Sequence, residues 1–174
     1  MNNINKPIIH KTICYLYRPV GTGEIEILLG MHHKQKKWNG FGGKVADKEE
    51  FKGESILEAV VREGWEELSI ITKDLKERAV ITFEFVDHEQ QIDRSICHIF
   101  FSNSWGGEIK ESQELLTPTW FRTTEMPWED MWQNDRSWLE KILQTDQFLT
   151  AHYKFLDPSS ETPTFSSESW KSLG

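Results

Sequence analysis

An α/β fold is what this chain predicts, from runs of β-branched and aromatic residues on both sides of one long amphipathic helix and a second helical stripe near the C-terminus. At 174 residues, 37% hydrophobic and 28% charged, it is long enough to bury one core and shows no sign of two. The expected organisation is a single domain over residues 1–156 and a polar tail, 157–174. That tail, DPSSETPTFSSESWKSLG, is rich in Ser and Thr and reads as flexible or as an edge segment.

Taken in order, Lys11 to Tyr17 and Glu24 to Leu29 flank PVGTG, so they predict two strands joined as a hairpin. From Ser55 to Leu68 no proline interrupts, and Leu57, Val60, Val61, Gly64 and Leu68 recur at helical steps as a core-facing stripe. Arg78 to Val86 and Ser95 to Phe101 predict a second hairpin across the polar DHEQQIDR, and Thr119 to Phe121 a further strand. The stretch after Pro127 is expected to become helical near Arg136, burying Trp138, Leu139, Ile142 and Leu143, with Trp132 outside that stripe.

Composition narrows the function. A net charge of -8 and a pI near 5.3 argue against polymeric nucleic acid as the main ligand, since phosphate backbones demand a basic footprint. No run approaches about 18 apolar residues, and MNNINKPIIH lacks an export signal, so no membrane contact and a cytoplasmic location are expected. Cys14 and Cys97 lie in strand-like segments and read as buried, reduced thiols. Lys34, Lys36, Lys37 and Lys44 reverse the acidity locally; they form either a solvated basic loop or a charge focus for phosphates, and Lys44, next to Gly42 and Gly43, favours the second.

The centre of the chain is GGKVADKEEFKGESILEAVVREGWEELSI, residues 42–70. At about 100° per residue, Glu63, Glu66 and Glu67 group on a face roughly 130° from the middle of the apolar stripe. Such like charges repel at these spacings. A bare E-x-x-E-E is a solvated acidic face on the simplest reading; alternatively, three convergent carboxylates are what a hard divalent cation such as Mg²⁺ takes, together with substrate phosphates.

Glu54, seven residues, then REGWEELSI resembles the Nudix signature, with every acidic and basic position matched. Three positions depart: ten residues separate Gly43 from Glu54 where the pattern has five, Gly64 takes an aliphatic place, and Ser69 takes the terminal Gly place. Ser69 therefore implies a strained helix exit, and Gly64 a close backbone approach. From Thr12 to about Phe155 the chain also resembles the MutT-type branch of that family, animal enzymes that hydrolyse oxidised purine nucleoside triphosphates. The shared runs are LLGM, WNGFGGKV, FEFV, WF, DMW and YKF.

The resemblance implies a mixed β-sheet in an α/β/α sandwich, Mg²⁺ with Mn²⁺ as the alternative, and a monomer acting on 8-oxo-dGTP-type substrates. It puts the metal on the backbone of Gly42 and on Glu63, Glu66, Glu67 and Glu114. Those helix glutamates would act as ligands or as the proton acceptor, with Arg62 orienting them. It puts the nucleotide against Thr12, Asn39, Phe83, Trp132, Asn134 and Asp135, with Lys44 and His32 alongside; His32 stands where the family carries Lys, and the loop before Trp38 is shorter. Where the family uses two adjacent aspartates to read the purine edge, this chain has Asn134 and Asp135. An amide cannot switch from acceptor to donor as a carboxyl does. The expectation is that Asn134 donates to a guanine-type O6 while an ionised Asp135 accepts, favouring guanine analogues. A Nudix hydrolase of another diphosphate, such as a methylated purine triphosphate or an ADP-ribose-like compound, and a catalytically silent binding module are the competing readings.

Overall fold

The computed structural model describes residues 6–21, 23–46, 48–89 and 91–174. Residues 1–5 of the N-terminal stretch, Thr22 of the first turn, Asp47 of the segment after Gly43 and Gln90 of the second turn lie outside them. The elements are β1 (Ile9–Val20), β2 (Glu24–His32), β3 (Trp38–Asn39), α1 (Ile56–Leu68), β4 (Ile71–Lys73), β5 (Lys76–Val86), β6 (Ile92–Ser102), β7 (Ser104–Gly106), β8 (Leu115–Arg122), α2 (Gln133–Gln144), β9 (Gln147–Phe155) and β10 (Phe165–Ser172). Both expected hairpins form, β1 with β2 and β5 with β6.

One eight-stranded sheet runs β10-β9-β5-β6-β1-β2-β3, with β8 on the other side of β2. β1 pairs parallel with β6, and β5 parallel with β9, while the remaining pairs are antiparallel. The sheet is mixed, as expected. Alternate residues of β1 feed opposite faces: Tyr15 packs with Ile81, Ile99, Trp138, Leu139 and Ile142 of α2, whereas Cys14 and Leu16 pack with Phe41, Val60 and Leu68 of α1. One helix on each face completes an α/β/α sandwich. Cys14 and Cys97 are buried and free, and burial pushes the Cys97 thiol up to about 12. No helix among the described residues is long and apolar enough to cross a membrane.

α1 starts with a reciprocal cap. Ser55 accepts from the Glu58 amide while the Glu58 side chain accepts from the Ser55 amide. It ends at Ser69 in the left-handed region, φ 60 and ψ 33, the strained exit predicted from the missing glycine. The close approach at Gly64 is also present: an added Cβ would lie 3.3 Å from Phe41 and 3.4 Å from the Ile70 carbonyl oxygen. The predicted stripe needs correction, because Leu57 is 54% exposed while Ala59 is buried. The buried arc is rotated towards Glu63 and Glu67, which are 8% and 4% exposed. The two carboxylates do not stand on a separate solvent face. They lie inside, beneath the loop carrying Gly42 and Gly43.

The tail resolves into the edge alternative. β10 pairs with β9 from Phe165↔Lys154 to Ser172↔Gln147, covering an edge that would otherwise present unpaired backbone groups.

Candidate active site

The acidic end of the site is organised by Arg62. Its guanidinium donates to Glu54 at 2.7 Å, Glu63 at 2.8 Å, Glu66 at 2.9 Å and the Lys44 carbonyl at 3.0 Å, and it stacks 4.4 Å from the Phe51 ring centre. Phe51 belongs to the longer segment after Gly43, so that segment contributes one ring against this arginine. The Arg62 hydrogen bond holds the Glu54 carboxyl below its ordinary range, and Glu54 in turn accepts from the Ala46 amide at 3.0 Å.

Glu67 faces the loop. Its carboxylate accepts from the Gly42 amide at 2.8 Å. Beside it, the Glu63 carboxylate fills the space a side chain at residue 43 would take, so a larger residue there would displace the Glu63 carboxylate from its present position. Gly42 itself is at φ 146, and its missing Cβ lets it lie against the Thr12 carbonyl. Burial is the largest cause that pushes Glu67 up to about 8; the Gly42 amide opposes it, and Glu63, Glu114 and Glu66 add to it. Glu114 thus belongs electrostatically to the cluster although it is exposed and sits before β8, tied there by its carbonyl accepting from the His33 amide at 2.9 Å.

Do these residues suit a divalent cation? The donors are hard oxygens, and Glu67 is raised first by burial, with the charges of Glu63, Glu114 and Glu66 adding to it, so positive charge placed among them would favour its ionised form. Among the described residues no three acidic, His or Cys side chains already stand as a coordination shell. Glu63 and Glu66 turn to Arg62, and Glu67 to Gly42. The chemistry of the donor set fits a hard divalent cation.

A cavity of about 500 Å³ lies beyond the loop, walled by Phe83 and Phe85 of β5, Phe155 of β9, Trp132, Asn134 and Asp135 at the start of α2, and residues 158–161. A smaller one of about 160 Å³ runs past Thr12, His32 and Asn39 to Gly42 and Gly43. The two share Lys11, Ile13, Asn39, Cys97 and Trp132, so a groove leads from the aromatic chamber to the glycines over the acidic helix. Asn134 Nδ2 and Asp135 Oδ2 of the chamber, the Trp138 indole nitrogen and Thr12 Oγ1 in the groove are buried with no hydrogen bond of ordinary geometry to a protein group. Unpartnered buried groups of this kind carry a cost that a ligand removes. Asn39 Oδ1 accepts from Tyr15 at 2.7 Å and from the Gly40 amide at 2.8 Å, leaving its NH₂ for a ligand.

Asp135 departs from expectation. It is 6% exposed, and burial first, then the Glu161 charge, pushes it up to about 7, against the opposing pull of the Trp138 indole and Lys37. Near neutrality protonated and ionised forms therefore coexist in the free protein, where the sequence reading has it simply ionised. His32 lines the groove with its ring held by the Gly40 carbonyl at 3.1 Å. Lys44 is exposed and outside both cavity linings; its contribution is the carbonyl that Arg62 grips. Phe85, Lys11 and the 158–161 segment escaped the sequence reading. Phe85 alternates with Phe83 and was legible from the period of two; the segment has no local signal, being brought in by the pairing of β10.

The NUDIX domain model matches residues 11–142. An oxidized purine nucleoside triphosphate hydrolase of Mus musculus is 36% identical over 134 residues, 75% of this chain and 80% of that protein. The Danio rerio protein of the same name is 37% identical over 132 residues, 74% and 78% of the two chains. Among solved structures, a MutT protein from Bacillus halodurans superposes with a TM-score of 0.73 at 25% identity, covering 92% of this chain and 97% of that one. With an arginine-clamped carboxylate helix, a glycine loop above it and a sandwich of matching topology, the chain belongs to the Nudix family of hydrolases, enzymes that generally use a divalent metal.

Proposed function

We propose that the protein hydrolyses oxidised or otherwise modified purine nucleoside triphosphates, of the 8-oxo-dGTP type, to monophosphate and pyrophosphate, with Mg²⁺ as the metal and Mn²⁺ as substitute, clearing the cytoplasmic nucleotide pool. The observation that carries this reading is the pair of unpartnered buried atoms, Asn134 Nδ2 and Asp135 Oδ2, in an aromatic chamber connected by a groove to the carboxylate helix. The names of the mouse and zebrafish relatives point the same way.

In this reading Phe83 and Trp132 flank the base, each such stack contributing about 1–3 kcal/mol without regard to which base it is. Asn134 and Asp135 read the purine edge. The triphosphate follows the groove past Thr12 and Asn39 to Gly42, and Glu63, Glu66, Glu67, Glu114 and the Gly42 backbone hold the metal. When bound, a divalent metal neutralises charge on the transferring phosphoryl group and lowers the pKa of the attacking water. Arg62 keeps Glu63 and Glu66 aimed, and a helix glutamate takes the proton of the water.

The test is pyrophosphate release with Mg²⁺ from 8-oxo-dGTP, 2-hydroxy-dATP, O6-methyl-dGTP, dGTP and ADP-ribose, alongside Glu67→Gln. A strong preference for a modified purine triphosphate, reduced about 10²–10⁴-fold by the substitution, supports the reading. Turnover of ADP-ribose alone, or of nothing, overturns it. Gln keeps an acceptor for the Gly42 amide, so Glu67→Gln is expected to stay folded.

A further inference from the structure

The tail does more than cover an edge. Between β9 and β10, Asp157 caps a turn by accepting from the Ser159 amide at 2.8 Å and from the Ser160 amide through its carbonyl at 3.0 Å. This turn delivers Glu161 to the rim of the aromatic chamber. There Glu161 pairs with Lys37 at 3.1 Å through one oxygen and 3.3 Å through the other, and accepts from the Gln133 amide, the first of α2, at 3.3 Å. Lys37 also donates to the Met131 carbonyl at 3.2 Å and lies 5.6 Å from the Trp132 ring centre. The Lys37 and Glu161 side chains are only 22% and 27% exposed, so the pair is less screened than a surface ion pair.

Three separate pieces of chain therefore meet around Trp132: the loop before β3, the entry to α2, and the tail. We propose that Glu161 is a specificity-determining positioning residue, which through Lys37 and the Gln133 amide fixes Trp132 and closes the outer wall of the base chamber. The wall that decides how much room a modified base has is thus supplied by a residue outside the 11–142 stretch that matches the family model. The charge of Glu161 also reaches Asp135, where it is the second cause, after burial, of that carboxyl's rise, which places it close to the purine-reading edge. This inference rests on the nucleotide reading of the chamber.

The experiment compares wild type with Glu161→Ala, Lys37→Met and the double variant, measuring hydrogen exchange at the Gln133 amide and steady-state hydrolysis of 8-oxo-dGTP and dGTP with Mg²⁺. Expected are faster exchange at Gln133 in Glu161→Ala, a five- to tenfold rise in KM for 8-oxo-dGTP with kcat within twofold, and a smaller preference over dGTP. Because the two residues share the Lys37–Glu161 ion pair, the effects of the single substitutions are less than additive in the double variant. Unchanged exchange overturns the clasp, whatever the substrate. Unchanged KM in variants of a wild type that turns over 8-oxo-dGTP overturns the specificity role alone. A wild type that hydrolyses neither triphosphate overturns the proposed function and this role with it.

Discussion

The two ends of the groove handle polar groups in opposite ways. At the acidic end the carboxylates on and before α1 already have donors: Arg62 for Glu54, Glu63 and Glu66, and the Gly42 amide for Glu67. In the base chamber Asn134 Nδ2 and Asp135 Oδ2 are buried and unmet. The first end is a set of charges held in an arrangement of ion pairs and hydrogen bonds, from which, in the proposed function, a cation would recruit them. The second is a set of buried polar atoms that a ligand of matching hydrogen-bond pattern would satisfy, and in the proposed function that match is the source of discrimination.

The sharpest way to break this contrast is Arg62→Ala, which leaves the half-buried Glu54 and the buried Glu63 without their cation. A loss of about 3 kcal/mol in urea unfolding is expected, with kcat/KM down about 10–100-fold as for other groups that orient metal ligands. If stability is unchanged, the resting arrangement does not depend on Arg62.

Next in size is Asp135→Asn. The folded carboxyl sits at about 7 against 3.8 in the unfolded chain, so between those values the folded state holds a proton the unfolded state has lost, and stability falls as pH rises through the window. The charged and titratable groups coupled electrostatically to this carboxyl are Lys37, Glu161, Tyr15 of β1, Cys97 of β6 and Tyr153 of β9. At about 1.4 kcal/mol per pH unit of separation, Asp135→Asn should gain on wild type steadily from pH 4.5 to 7 in unfolding experiments without ligand, and no further above it. A constant difference across that range sinks the idea of an unmet Asp135.

The smallest effect sharpens rather than breaks. Asn134→Asp restores a carboxyl that can switch between donor and acceptor, and should raise hydrolysis of 2-hydroxy-dATP relative to 8-oxo-dGTP about tenfold, equivalent to about 1.4 kcal/mol. An unchanged ratio shows that Asn134 does not set base choice.

The same contrast explains what could be read in advance. The acidic end is written in one contiguous run, so the spacing of Arg62, Glu63, Glu66 and Glu67 shows the residues that Arg62 and the Gly42 loop later organise. What the spacing missed was depth: the glycine loop has no side chains to hold off α1, so Glu63 and Glu67 sink beneath it while Leu57, nominally in the stripe, stays exposed. The chamber is assembled from β5, β9, α2 and the tail. Phe83, Trp132, Asn134 and Asp135 were found through short shared runs, whereas Glu161 was invisible, because its place depends on the register of β10 against β9 and on no local pattern. Asp135's protonation was equally out of reach, being set by burial and by a charge 26 positions along the chain.

β1 occupies the middle of the sheet, between β2 and β6, and its parallel partner runs from Ile9↔Ser95 to Leu16↔Ser102. During synthesis, then, the hairpin of β1 and β2 and the capped α1 leave the ribosome long before β6 can dock, and β9 and β10 follow last. Contacts so distant in sequence make for slow closure. The capped helix α1 can form early on a nascent chain, whereas the aromatic chamber requires β9, α2 and the segment leading to β10 to be in place.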